Sequence, residues 1–286
     1  MALSARTPTG ADTAGHVPEI WSQLTRDQAE KELVAWDATD HRWQVDAKLG
    51  DTVNIGVINN VTATEVVVGT KAASLDIATG TKIQLVMDQW FEAPVDIDDM
   101  TIKQSQTNWE AKARAKGEYS IRVKIDSTVC ALISALNASS VQGSDGVALT
   151  DDLLLDIMEL LDEADAPRDK DRFLILDPSA VRDMLTYDKF VASQYVDSGS
   201  VQNGRVANGH PVYGCNIRVT NNLTAATTGA YAVMMHRQAI ASALQIESPW
   251  EWHYKDLHQW RFQFEALWGV KEIRDDWGIP FYTRKS

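Results

Sequence analysis

The chain has 286 residues, 44% hydrophobic and 23% charged, with a formal net charge of -13. A chain of this size buries roughly three quarters of the surface its unfolded form exposes, enough for one large domain or two small ones. The acidic balance argues against a nucleic-acid reader, which needs clustered Lys and Arg to displace counterions from phosphates. The N-terminal MALSARTPTGADTAGHVPEIW has no apolar run long enough for a secretory signal, and no segment approaches about eighteen apolar residues. The expectation is a cytoplasmic product without membrane contact. Cys130 and Cys215 leave no disulfide framework and no Cys-x-x-Cys metal pair, and without a secretory signal the triplets at Asn60, Asn137 and Asn222 carry little weight as glycosylation sites.

Residues 1 to about 20 are rich in Thr, Gly and Ala and read as an arm. From Ile20 to Trp43 a charged segment places Trp21, Leu24, Ala29, Leu33 and Trp36 roughly on helical spacing. GDTVNIGVI then changes period: Val53, Ile55 and Val57 alternate with polar neighbours, as in a half-exposed strand. TEVVVG and TKIQLVMDQWF continue the alternation, with ATG as a turn signal, which predicts a long β-hairpin over 51–97 with an extra short strand. Arms of about twenty residues at about 3.3 Å each reach roughly 65 Å, against a gyration radius of about 19 Å for a compact chain of this length. A two-stranded ribbon is marginal alone, so this one is expected to lean on another molecule.

Residues 98–138 read as one long helix, with Asp98 and Asp99 suiting its N-terminal end and Ile121, Ile125, Val129, Leu132 and Leu136 forming one apolar stripe. About 35 residues would span about 50 Å, with Gly117 as the place for a bend. Thr150 caps an amphipathic helix over 151–164 that Pro167 stops. RFLILD reads as a buried strand, PSAVRDMLT as a helix with Pro178 at its first position, and NIRVTNNL as a return strand. Between them Gly199, Gly204, Gly209 and Gly214 punctuate a loop. Residues 140–228 are thus expected to form a small α/β subdomain with its own core. The remainder reads as strands, with Trp260, Phe262 and Phe264 alternating. Five of the ten tryptophans follow residue 249, so aromatic surface concentrates there.

Few residues invite chemistry. His253 and His258, with Asp256 and Glu265, match no zinc spacing. Asp96, Asp98 and Asp99, like Asp275 and Asp276, lack the alternation, glycine and closing Glu of a calcium loop, and helix capping accounts for the first cluster. Trp250, Trp252, Trp260 and Trp268 offer flat faces for a carbohydrate platform, against the plainer expectation of buried packing or a subunit contact. No residue is assigned to catalysis, to a cofactor or to a metal, and no cofactor is expected.

The order of arm, hairpin, long helix, α/β subdomain with a Gly-rich loop and closing strands resembles the major capsid proteins of tailed bacteriophages, the Hong Kong 97 phage fold shared with encapsulin shells. The likeness rests on GDTVNI, VDIDDMTIKQSQTN, IDSTVCALI, RFLILDPSAVRDMLTYDKF and NGHPVYGCNIRVTNNL, and covers about residues 45 to 225. These are patterns of fold, and their order is the stronger sign. The resemblance implies an α+β capsid fold with an N-terminal arm (1–50), an extended hairpin loop (51–97), a peripheral domain with a spine helix and β-sheet (98–139 and 229–286) and an axial α/β domain (140–228). It implies a non-enzymatic protein that self-assembles as hexameric and pentameric capsomers into an icosahedral shell, built in the host cytoplasm and found in the virion. Its implied partners are a scaffolding protein, a portal protein, a decoration protein and packaged double-stranded DNA held non-specifically. Some relatives carry about a hundred extra N-terminal residues as a scaffold; here the hairpin starts by residue 51, which implies a separate scaffold. Some relatives also cross-link covalently through Lys and Asn, and Lys71 is the position that invites comparison. The alternatives are an encapsulin-like nanocompartment and, in a different class, a carbohydrate-binding or hydrolase module using the Trp-rich C-terminal region, which as a hydrolase would need two facing carboxylates.

Overall fold

In the computed structural model the described residues are 30, 33–48, 50–58, 68, 80–104, 109–137, 140–187, 201–202, 205–206 and 211–284. The strand RFLIL, β4 (Arg172–Leu176), is buried at all five positions, which requires cover on both faces. It lies in the middle of a five-stranded sheet of order β12-β9-β4-β8-β7. The other members are β7 (Pro211–Val212), β8 (Cys215–Val219), β9 (Gly229–His236) and β12 (Gly278–Arg284), and only the β4–β8 pair is parallel. Tyr213 and Gly214, at φ 51° and 78°, make the two-residue turn from β7 to β8.

Each face of this sheet has its own cover. Leu174 and Leu176 meet Leu154, Ile157 and Leu161 of α3 (Asp151–Glu163) and Ala180 and Met184 of α4 (Pro178–Met184). Phe173 and Ile175 meet Val129, Cys130 and Ile133 of the spine helix. Thr150 and Pro178 stand at the helix starts where the sequence places them. Thr150 accepts a hydrogen bond from the Leu153 amide, and Asp177 caps α4 with Pro178 behind it. Helix α3 closes through Asp165 at φ 56°, with the Ala166 amide donating to the Leu161 carbonyl at 3.1 Å.

The spine is described as α1 (Asp99–Gln104) and α2 (Trp109–Ile133), with 105–108 outside the described residues. Helix α2 is about 37 Å long at 1.5 Å per residue. Ile121, Ile125 and Val129 are buried along it, and Leu136 is buried just past its end. Gly117 serves a close approach: a Cβ there would lie 2.6 Å from Cδ2 of Phe264.

The second sheet, of order β10-β11-β3, rests on this helix. It joins β10 (Ile240–Tyr254), β11 (Gln259–Glu272) and β3 (Gln89–Asp98), all antiparallel. Phe264, Ala266 and Trp268 of β11 and Phe91 and Ala93 of β3 pack toward α2. In β10 the register shifts by one residue between Leu244 and Ile246. The Gln44 side chain brackets this point, its carbonyl accepting from the Leu244 amide and its amide donating to the Leu244 carbonyl.

Three sequence expectations change. The hairpin is β1 (Thr52–Ile58) with β2 (Gly80–Val86), paired over seven residues or roughly 23 Å. The expected extra short strand is the ten-residue β3, which leaves the ribbon after Met87 because its alternate apolar residues pack on α2. Residues 59–67 and 69–79, Lys71 among them, lie outside the described residues. The expected α/β boundary at 228 runs through one sheet: β4 is hydrogen-bonded to β9, and Ala232, Met234, Ile279 and Phe281 complete the α3-side core. Third, the helix expected over 20–43 gives way, in its described part, to short 3-10 turns at Trp36–Ala38 and Arg42–Gln44, and a further turn follows at Asp46–Lys48. Tertiary partners take the groups a continuous helix would use, since the Asp40 amide donates to the Ile240 carbonyl and the Ser242 amide to the Asp40 carbonyl. Trp21, Leu24 and Ala29, the arm before them, and Gly199, Gly204 and Gly209 lie outside the described residues.

Candidate functional site

The surfaces that stand out are the open face of the three-stranded sheet, the hairpin above one end of it, and the segment fastened across the spine helix. Strand period decides the first. Odd positions of β11 and even positions of β3 point away from α2, and they pair as a polar ladder. Gln259 donates to Asp98 at 2.6 Å, Arg261 grips Asp96 through two bonds of 2.6 Å, and Gln263 donates to Glu92 at 2.6 Å. The guanidinium hydrogen bonds from Arg261 hold the Asp96 carboxyl below its usual range and push Arg261 itself further up. The Asp96–Asp99 cluster is therefore mostly a set of cross-strand partners. Only Asp99 lies in the first turn of α1, and its carboxylate is 2.9 Å from Nε2 of His253.

The four tryptophans do not share a platform. Trp268 is buried and stacked on Phe91 at 5.3 Å between ring centres. Trp260 packs on His253 at 4.9 Å, on the helix side. Trp250 is 54% exposed on the open face, where its indole N–H donates to Glu265, and Trp252 meets Tyr254 edge-on. Sequence reasoning passed over Trp90, which is 68% exposed. Its signal was phase, since it falls between the positions set by Phe91, Ala93, Val95 and Ile97.

The histidine group is likewise dispersed. His253 faces the α2 side, Glu265 the opposite side, and Asp256 and His258 are exposed in the turn between β10 and β11. Asp275 accepts from the Asn137 amide at 2.6 Å, which ties down the chain just after α2. Among the described residues no three or more His, Cys, Asp or Glu are grouped to hold a metal ion.

At the hairpin base, Ile55, Leu85 and Met87 pack on Ala47, Ala241 and Ala243. Gly269 admits the ribbon backbone, since a Cβ there would lie 2.2 Å from the Val86 carbonyl oxygen. Further out, Ile58 is 78% exposed and Val68 is 99% exposed. Apolar side chains so placed have no cover within the described chain.

Asp126 is the third feature, also missed from sequence. It sits on α2 with 1% exposure, and its carboxylate accepts from the amides of Ala35 at 2.8 Å and Trp36 at 3.2 Å and from Asn222 Nδ2 at 3.0 Å. Its position within the apolar stripe was the available sign. In the N-terminal half of the spine helix, Lys116 meets Glu30 at 2.5 Å.

No family model and no curated protein matches the chain. Solved structures do. A chain from Mycobacterium phage Che8 is 20% identical, with 93% of this chain and 97% of that one aligned at a TM-score of 0.78. The capsid of Cyanophage P-SCSP1u aligns at 14% identity over 97% and 96% with a TM-score of 0.75, and the mature capsid of bacteriophage PhiM1 at 14% over 94% and 93% with 0.70. At these identities the likeness is one of fold: the chain has the α+β fold of phage capsid structures.

Proposed function

We propose that the chain is the major capsid protein of a tailed phage, a structural subunit that assembles with copies of itself into an icosahedral shell around double-stranded DNA. The single observation that carries this is the near-complete alignment in both directions with phage capsid chains. The exposed apolar ribbon supports it, since head-to-tail contacts between identical subunits need different patches on different sides. On this reading 51–86 is the arm laid on a neighbour, the spine helix and three-stranded sheet form the peripheral part, and the five-stranded sheet with α3 and α4 forms the axial part. A separate scaffold, a portal and a decoration protein are its further partners, assembly is cytoplasmic, and the role requires no catalysis.

The test is size-exclusion chromatography with light scattering and negative-stain imaging, alone and with the phage's scaffold coexpressed. Shells, tubes or capsomer rings are expected. A subunit that stays monomeric with its scaffold present would sink the proposal. Replacing 59–79 with an Asn-Gly turn should leave a folded, unassembled subunit, and shells formed by that variant would overturn the contact role of the ribbon.

A further inference from the structure

Strands β4 and β8 run parallel, and the chain leaves their carboxyl ends in different directions, into α4 from one and along residues 220–228 from the other. Such a divergence opens a crevice, the usual seat of ligands in sheets with parallel strands. Here it is a cavity of about 230 Å³ lined by Asp177, Pro178, Ser179, Thr220, Asn221, Leu223 and Ala230. Asp177 is only 8% exposed, and its two oxygens differ. Oδ2 accepts from the Ser179 amide at 3.3 Å and from the Ser179 hydroxyl, whereas Oδ1 is buried with no hydrogen-bond partner among the described residues. A buried carboxylate oxygen without a donor is costly, and each such case calls for a specific explanation.

The surroundings narrow the ligand class. The lining combines the carboxylate of Asp177 and the side chains of Thr220, whose hydroxyl oxygen accepts from the Asn222 amide at 3.2 Å, and Asn221 with the apolar Pro178, Leu223 and Ala230. One carboxylate balances one positive charge. A bare divalent ion usually gathers more carboxylate oxygens than this. A cation on a hydrocarbon stem suits this lining, with its N–H groups on the Asp177 carboxylate and its methylenes against the apolar residues.

We propose that this cavity binds an alkylammonium or alkylguanidinium group, its charge on the Asp177 carboxylate and its carbon stem on Pro178, Leu223 and Ala230. The source is either a Lys or Arg side chain from a second copy of the chain or a free polyamine.

The probe is n-butylammonium chloride, titrated at constant ionic strength into the isotopically labelled full chain while the backbone amide signals of Ser179, Thr220 and Asn222 are followed. Saturable shifts are expected. Asp177→Asn retains a capping acceptor for α4 and should weaken binding at least about tenfold, the scale of one lost charge-assisted contact. An otherwise unchanged amide spectrum shows that this variant is folded. Tetramethylammonium, which has the charge but no N–H, should not bind. Shifts without saturation, equal affinity in Asp177→Asn, or equal affinity for tetramethylammonium would each overturn the proposal. This titration does not depend on shell formation, so its failure and that of the capsid reading are separable. Assembled particles distinguish the sources: a probe excluded on assembly assigns the cavity to a neighbour's side chain, and a probe still bound assigns it to a free amine.

Discussion

The two sheets of this molecule solve burial in opposite ways. The five-stranded sheet is covered on both faces by elements of the same chain, α3 and α4 on one side and α2 on the other. The three-stranded sheet is covered on its α2 side, and its other face is a ladder of polar pairs with Trp90 and Trp250 standing out of it. The first is complete within the subunit. The second, with the ribbon based at one end of it, leaves polar and aromatic surface uncovered among the described residues. Under the proposed capsid role, stability and assembly are expected to map to different sheets.

The largest effect that would break this division is in the covered sheet. Leu174→Ala in β4 removes a side chain with 0% exposure and should cost about 2–5 kcal/mol, read as a lower denaturant midpoint. A cost below about 1 kcal/mol would show that the sheet is not the stability centre. Asp126→Ala comes next, at about 2–4 kcal/mol, because it strands the buried amide of Ala35 and releases Trp36 and Asn222. Limited proteolysis should then cut near residues 33–40 before the α/β core; cleavage at the same rate as in the unmodified chain would deny Asp126 its clasp role. The smallest effect is on the open face. Arg261→Gln should leave the denaturant midpoint nearly unchanged at neutral pH, because both partners are about one third exposed and solvent screens them. Its pH dependence follows from the lowered pKa of Asp96. The increment is present above the unfolded carboxyl value near about 4 and disappears as pH falls through the lower folded value, so the two proteins should converge in stability in acid. A difference that persisted or grew at low pH would contradict this assignment.

The same contrast explains what the sequence reveals. Strand β4, the cap Thr150, the first-turn Pro178 and the stripe Ile121, Ile125 and Val129 are local signals, and each element appears where its residues place it. Strand β3 shows the limit of such signals: alternation of Phe91, Ala93, Val95 and Ile97 shows that one face is buried, but not which strand lies alongside. The acidic cluster misleads for a related reason, since a helix start and a cross-strand Arg261 both favour carboxylates. Asp126 and the segment 33–48 are legible only when residues about ninety and two hundred positions apart are known to meet, as in the bonds from Ala35 to Asp126 and from Gln44 to Leu244. The cavity at Asp177 is of the same kind, for its walls come from the ends of two strands separated by forty or so residues of chain.

The one-residue register shift at Gln245 changes which side the even-numbered residues of β10 face. Before it, the even-numbered Leu244 packs on the helix side opposite Trp268; after it, the even-numbered Trp250 lies on the open face, and the odd-numbered Glu251 meets Arg114 of α2 at 2.7 Å. Parity therefore changes once along this strand. The extra residue absorbs this change: without Gln245 the ladder would run evenly from Leu244 opposite Trp268 to Ile246 opposite Leu267, and Trp250 would still face Gln263 on the open side and Glu251 the helix. The sheet thus takes up a one-residue difference in length between its two strands without turning over any of the aromatic side chains beyond it.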